Sequence, residues 1–191
     1  FCPRSPPEDN DGHLVFVGGM SWYPNRDAML WFVREIWPRL REEASDRRAK
    51  LIGRDPPREV REASTDGDLE APGFVDDVRP IVDRALAYIC PIRKGGGTRL
   101  KILDALAMAK PLVATSFAVE GLRLESGKHY LRAETPAEYV TQIRRLEKDA
   151  SLRRRLGEAG RSLVEKHYAW SVIGENLNDA YRSALPNQLD C

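Results

Sequence analysis

The sequence Leu86–Ala109, LAYICPIRKGGGTRLKILDALAMA, decides which fold we expect. Leu86 to Ile92 is an apolar run, which is typical of a strand buried on both faces of a parallel sheet. Gly95–Gly97 then form a turn, and helical spacing follows from Thr98 to about Ala109. A buried strand, a glycine turn and a helix are the repeating unit of an α/β sheet.

The same unit recurs on both sides of this stretch. A β-rich run at His13–Val17 ends in Gly18-Gly19 and precedes helical spacing over Asn25–Leu40. Asp76 is expected to cap a helix that runs to about Ala85. Further segments follow the same pattern: strands at 49–53 and 111–117, strands ending near 75 and 133, a short helix after Pro56-Pro57, and three Arg-rich helices over 136–185. The alternation predicts an α/β fold, a Rossmann-like doubly wound parallel sheet.

Length and charge limit the function classes. The 191 residues suit one domain, which we place at residues 13–185, after a linker at 1–12 that is rich in Pro, Asp and Glu and before a tail at 186–191. Thirty Lys and Arg balance 29 Asp and Glu, so no global field favours nucleic acid as a partner. An anion site must therefore be local.

Cysteine usage and hydropathy indicate a cellular compartment. Cys2, Cys90 and Cys191 are an odd number at positions that do not suggest a disulfide framework. No apolar stretch reaches the length of a membrane span. We expect a cytoplasmic location, with peripheral contact at the inner face of the membrane as the alternative.

The glycine loop is the strongest candidate for an anion site. Glycines allow close approach of backbone N–H groups, a helix start adds partial positive charge, and Arg99 and Lys101 add full charges. These features suit a diphosphate, although a flexible turn with solvated cations remains an equal alternative. Neither the Walker A spacing nor the G-x-G-x-x-G fingerprint is present, which disfavours ATP hydrolysis and hydride transfer.

Other polar residues give weaker signals. Asp104, seven residues after Gly97, could accept hydrogen bonds from ribose hydroxyls or pair with Lys101 or Arg99. The three histidines have no neighbours at metal-ligand spacing, so no metal site is expected.

Three segments occur in an order that resembles a known family: FVGGMSWYPN at 16–25, GFVDDVRP at 73–80 and GGGTRLKILDA at 95–105. They resemble the group 1 (family 4) glycosyltransferases, in particular the bacterial branch of exopolysaccharide and cell-surface glycan assembly. The resemblance implies the C-terminal half of a GT-B fold, which holds a UDP- or GDP-linked sugar. It also implies transfer with retention, no metal, and a missing N-terminal domain that binds a glycan or lipid-linked acceptor.

The resemblance also assigns positions in the site. The family's Glu-x7-Glu motif falls on Gly96 and Asp104, and its usual Arg and Lys fall on Gly19 and about Asn25. The catalytic residues stay unassigned, and the isolated chain is expected to be inactive. The donor-binding set is Gly18, Gly19, Arg54, Phe74, Val75, Arg93, Gly95, Gly96, Gly97, Thr98, Arg99, Leu100, Lys101 and Asp104, in which Arg54, Arg93, Arg99 and Lys101 are the candidates for the missing cations.

Two other functions remain open at this point. One is a non-catalytic nucleotide-binding or regulatory module, which the departure at Asp104 favours. The other is a nucleotide-sugar epimerase, which would need an acid and a base that the glycine loop does not supply. The same sheet also predicts that Gly18-Gly19 and Gly95–Gly97 lie on one edge.

Overall fold

The computed structural model describes residues 11–64 and 67–184. Its centre is a six-stranded parallel sheet in the order β3-β2-β1-β4-β5-β6. The strands are β1 His13–Val17, β2 Arg48–Ile52, β3 Leu69–Gly73, β4 Ala87–Cys90, β5 Leu112–Ala114 and β6 Leu131–Arg132. The strand order reverses direction between β1 and β4, which confirms the predicted doubly wound Rossmann-like fold.

Helices cover both faces of this sheet. They are α1 Tyr23–Trp31, α2 Trp37–Glu43, α3 Arg58–Ala63, α4 Arg79–Asp83, α5 Leu100–Ala107, α6 Pro136–Lys148, α7 Ala150–His167 and α8 Trp170–Ala184. Helices α1, α2, α3 and α6 contact one another directly or through the turn between α1 and α2, whereas α5 packs on α7. The apolar side chains of β1, β4 and β5 lie between these layers and are buried.

The predicted helix over Asn25–Leu40 contains an unexpected wide turn. Phe32–Ile36 is π-helical, and the Trp37 N–H bonds to the Phe32 carbonyl five residues earlier. Pro38 follows directly and has no N–H to donate to the helix. Proline also displaces the carbonyl four residues before it, so the widened turn lies where the regular pattern would fail.

The predicted cap at Asp76 is wrong. Helix α4 begins at Arg79, its N-cap is Val78, and no side chain caps it. Asp77 instead accepts a hydrogen bond from the Arg79 N–H at 3.0 Å and pairs with the Arg79 guanidinium. This local pair competes with capping, because the short Asp side chain can bond to the backbone two residues ahead.

Parts of the predicted domain boundaries fall outside the described residues. The proposed linker at 1–12 is described only at Asp11 and Gly12, and the tail at 186–191 and Leu185 are not described. Asp11 is held to the end of α4, since its N–H bonds to the Arg84 carbonyl and its carboxylate pairs with the Arg84 guanidinium. Over residues 11–64 and 67–184, no helix is both long and apolar enough to cross a bilayer.

Candidate functional site

The two glycine loops leave the same edge of the sheet, as predicted. β1 and β4 are parallel neighbours, so the loops that follow them both start at the carboxyl edge. These strands flank the point at which the strand order reverses, where ligands of open α/β sheets bind. The topology therefore places both predicted loops at the expected site.

Backbone hydrogen bonds join the loops that follow β1, β2 and β3. The Gly18 N–H bonds to the Ile52 carbonyl at 2.8 Å, and the Gly53 N–H bonds to the Gly73 carbonyl at 2.9 Å. A Cβ on Gly53 would lie 2.6 Å from the Gly18 carbonyl carbon and nearer still to its oxygen. Glycine at 53 is required because no side chain fits between these two loops.

The Gly95–Gly97 loop packs against the start of α1. Gly95 has φ 114° and Gly97 has φ 78°, which are conformations that favour glycine. A Cβ on Gly95 would lie 2.9 Å from Cβ of Pro24 and nearer to its Cγ. The loop therefore brings the start of α5 close to the segment that follows β1.

Arg99 shapes this loop from the inside. The residue is 5% exposed, and its guanidinium donates to the carbonyls of Gly97 and Gly95 and lies 4.9 Å from the Phe117 ring centroid. Its Nε is buried without a hydrogen-bond partner among the described residues. Helix α5 starts one residue later, at Leu100, so Arg99 is its N-cap rather than a first-turn residue as predicted. In this arrangement the charge of Arg99 holds loop carbonyls together.

Lys101 brings a positive charge to the first glycine loop. Its Nζ donates to Oδ1 of Asn25 at 2.5 Å and lies 4.5 Å from the Phe16 ring centroid. The space that it fills exists because Gly18 has no Cβ. Burial, together with the nearby Arg99, lowers the pKa of Lys101 to about 8, whereas Cys90 acts in the opposite direction.

Asp104 lines a small slot beside Lys101. The slot has a volume of about 70 Å³ and is lined by Val17, Val78, Val82, Tyr88, Lys101, Asp104, Ala105 and Met108. Burial raises the pKa of the Asp104 carboxyl. The Tyr88 hydroxyl donates to the Val17 carbonyl and accepts from the Val17 N–H, both at 3.1 Å, so it fixes the end of β1. A partly desolvated carboxylate at this position can accept hydrogen bonds from a ligand.

The other candidate cations are held elsewhere. The Arg54 guanidinium stacks on the exposed Phe74 ring at 4.4 Å. Arg93 pairs with Asp27 at 3.2 Å and stacks on Trp31 at 4.3 Å. Thr98 and Leu100 are exposed at the start of α5, with Gly96 beside them, and Val75 is partly buried after β3. Of the four candidates, Lys101 is the one whose charge meets Gly18.

Sequence reasoning missed the residues that support Lys101. The sequence indicates Asn25 only as the place of a missing cation, and it gives no reason to assign Phe16, Pro24 or Tyr88 to the site. Asn25 and Lys101 are 76 positions apart, so no local spacing connects them. A signal existed only for Asn25, which is a polar residue among the apolar positions of a helix that is otherwise expected to face the core.

A larger groove lies on the helices, away from the strand ends. It has a volume of about 360 Å³ and is lined by Thr141, Arg144, Arg145, Lys148, Asp149, Leu152 and Arg155. None of these residues belongs to a loop at the carboxyl edge, where the topology places a ligand. Within 11–64 and 67–184, no group of three or more His, Cys, Asp or Glu side chains could hold a metal ion.

The fold and the position of the glycine loops define a Rossmann-like domain with a candidate site at the carboxyl edge of its sheet. The sequence profile described as glycosyl transferases group 1 matches residues 11–149. The chain therefore belongs to the group 1 glycosyltransferase family. This membership favours neither the epimerase nor the non-catalytic module as an alternative.

A curated relative and several solved structures are similar to this chain. An uncharacterized 44.6 kDa protein in the cps region of Klebsiella pneumoniae is 22% identical over 164 residues, which are 82% of this chain and 42% of that protein. The chain thus spans less than half of this relative.

The structural neighbours support the fold. A glycosyltransferase from Rickettsia africae ESF-5 matches with TM-score 0.75 and 15% identity over 94% of this chain and 49% of its own. HepE of Anabaena, in complex with UDP and glucose, matches with TM-score 0.71 and 13% identity over 93% of this chain and 49% of its own. The C-terminal domain of the group 1 family protein LpcC from Francisella tularensis matches with TM-score 0.64 and 18% identity over 84% and 88%.

Proposed function

We propose that this chain is the donor-binding half of a retaining glycosyltransferase and that it holds a UDP- or GDP-linked sugar at the carboxyl edge of the sheet. The proposal rests on one observation: the ammonium of Lys101 lies against Gly18, next to the slot that Asp104 lines. A cation, close backbone and a hydrogen-bond acceptor are the groups that a nucleoside diphosphate needs.

Each part of the nucleotide has candidate partners in this arrangement. The diphosphate would lie between Gly18-Gly19 and the start of α5, where Lys101 and helix N–H groups oppose its charge. Asp104 would accept hydrogen bonds from the ribose. The base would lie toward Phe74 and Val75, where the Arg54–Phe74 stack offers an exposed ring.

The same groups can stabilise the departure of the diphosphate. Negative charge develops on the leaving phosphate oxygens as the sugar is transferred, and fixed donors stabilise that charge without reorganising. We propose that these donors act without a metal ion. Addition of EDTA should therefore leave nucleotide affinity unchanged, and a loss of binding in EDTA would contradict this part of the proposal.

The acceptor site belongs to a second half in this proposal. The curated relative is more than twice as long as the aligned region, and in HepE and the Rickettsia protein the matching region is about half of the chain. We expect a glycan or lipid-linked acceptor to bind an N-terminal domain, in the cytoplasm or at the inner face of the membrane. The isolated half should bind donor but not transfer sugar, since the cleft lacks a wall.

Calorimetric titration of the 191-residue chain with UDP, GDP, ADP and the corresponding nucleosides tests the donor site. We expect saturable binding of UDP or GDP. Asp104→Ala should weaken nucleotide and nucleoside alike by about tenfold or more, because both carry the ribose and hydrogen bonds to charged groups contribute about 1.5–3 kcal/mol. Absence of binding to every nucleoside diphosphate would refute the proposed function.

A further inference from the structure

Asn25 joins the two halves of the candidate site with a single side chain. It is 4% exposed, its Nδ2 donates to the Gly19 carbonyl at 2.7 Å, and its Oδ1 accepts from Nζ of Lys101 at 2.5 Å. Both ends of the amide are thus used. The contact fixes the ammonium of α5 relative to the loop after β1.

The kind of partner matters as much as the contact. Arg93 and Lys94 both pair with the carboxylate of Asp27, which neutralises much of their charge. The partner of Lys101 is a neutral amide, and the Phe16 ring beneath the ammonium carries no net charge. Neither partner offsets the charge of Lys101, and both restrict its position, so an anion can bind the ammonium at low entropic cost.

We propose that Asn25 is a positioning residue that holds the Lys101 ammonium against Gly18-Gly19 so that its uncompensated charge meets the diphosphate of the donor. This inference rests on the proposed function, and it concerns how the charge is placed. Asn25 acts through Lys101 and need not touch the nucleotide.

The groups around the ammonium determine how its charge responds to pH. The titratable or charged groups near the ammonium are Cys90 on β4, Asp104 on α5 and Arg99 at the N-cap of α5. Tyr88 lies in the same slot as Asp104. Burial holds the pKa of Lys101 at about 8, so diphosphate affinity should fall as pH rises through this value. A carboxylate in place of the amide would favour the charged form and move that fall to higher pH.

Four variants test the inference by UDP and GDP titration, with uridine and guanosine as internal controls. Asn25→Ala should weaken the diphosphates by about tenfold, the effect of one hydrogen bond to a charged group, and leave the nucleosides unchanged. Asn25→Asp should also weaken the binding of UDP and GDP, and it should raise the pH at which their affinity falls. Lys101→Asn should lower the affinity for UDP or GDP by about tenfold or more. The double variant Asn25→Lys/Lys101→Asn, which exchanges the two side chains, should recover about half or more of that loss when affinities are compared on a logarithmic scale.

The outcomes separate this inference from the proposed function. If the unmodified chain binds UDP or GDP and Asn25→Ala binds as tightly, the inference is wrong and the donor site stands. Equal losses for diphosphate and nucleoside would make Asn25 a structural residue and also overturn it. If Asn25→Ala does not fold, Asn25→Asp decides, because an unchanged pH profile in that variant contradicts the contact. If the unmodified chain binds no nucleoside diphosphate, both the proposed donor site and the role of Asn25 are wrong.

Discussion

Gly18→Ala should disable the diphosphate subsite while the fold is retained. A Cβ at this position would lie 2.8 Å from Nδ2 of Asn25 and nearer still to Nζ of Lys101, whereas ordinary contacts begin at 3.4 Å. Both obstructing atoms are ends of side chains, so they can move, and the backbone of Gly18 does not have positive φ. The ammonium must therefore leave its position. Loss of one charge-assisted contact of about 1.5–3 kcal/mol corresponds to about a 10- to 150-fold weaker Kd for UDP or GDP.

Calorimetry on Gly18→Ala, Lys101→Ala and the double variant measures this effect. Uridine and guanosine affinities should stay within about twofold of the unmodified chain, since they lack the diphosphate. In the Lys101→Ala background, Gly18→Ala should cost little more affinity, because the ammonium that it displaces is gone and Asn25, the other obstructing side chain, has no ammonium to position. Additive losses in the double variant, or equal losses of nucleoside binding, would show that Gly18→Ala does not act by displacing the Lys101 ammonium.

Two further predictions concern stability. Gly53→Ala should lower the free energy of unfolding in urea by about 3 kcal/mol, because its Cβ would meet the backbone of Gly18, which cannot rotate away; a loss below about 1 kcal/mol would contradict this packing. His13 is 1% exposed, and burial lowers its pKa from 6.5 to about 4. The unfolded chain takes up this proton near pH 6.5 and the folded chain only near pH 4, so stability falls by up to about 3 kcal/mol as pH drops between these values. His13→Gln should show a smaller loss over the same range, and an equal loss would contradict the assignment.

Local patterns were sufficient to predict the sheet. The runs at 13–17 and 86–92 contain β1 and β4 because apolar side chains must be buried on both faces, and the glycine loops follow the ends of these strands. The position of the site follows from the same alternation, since adjacent parallel strands end at one edge. These features depend on residues that are neighbours in the sequence, so one amino-acid sequence is enough to predict them.

Side-chain directions and competing local bonds could not be predicted in this way. Arg99 was expected to face the ligand, but carbonyls of its own loop are nearer partners. Asp76 was expected to cap α4, but Asp77 pairs with Arg79 instead and the helix starts later. The assignment of Arg99 to the diphosphate thus remains a prediction, and the structure adds a role in loop order to it.

The contact between Asn25 and Lys101 shows that the composition of the site depends on residues far apart in the sequence. The sequence favours Arg99 and Lys101 over Arg54 and Arg93 as the missing cations, and the fold brings Lys101 to Gly18. Packing of α5 and α1 against neighbouring strands produces this meeting, and it depends on tertiary structure rather than on spacing.

Amide chemical-shift mapping of the isotopically labelled chain during titration with UDP and GDP tests whether the donor binds at the carboxyl edge of the sheet. We expect saturable shifts at Gly18, Gly19, Gly95–Gly97 and the first turn of α5, with Ala44 and Leu86 at the opposite edge unchanged. Shifts confined to the groove between α6 and α7, or no saturable shift with either nucleotide, would contradict a donor site at the carboxyl edge of the sheet.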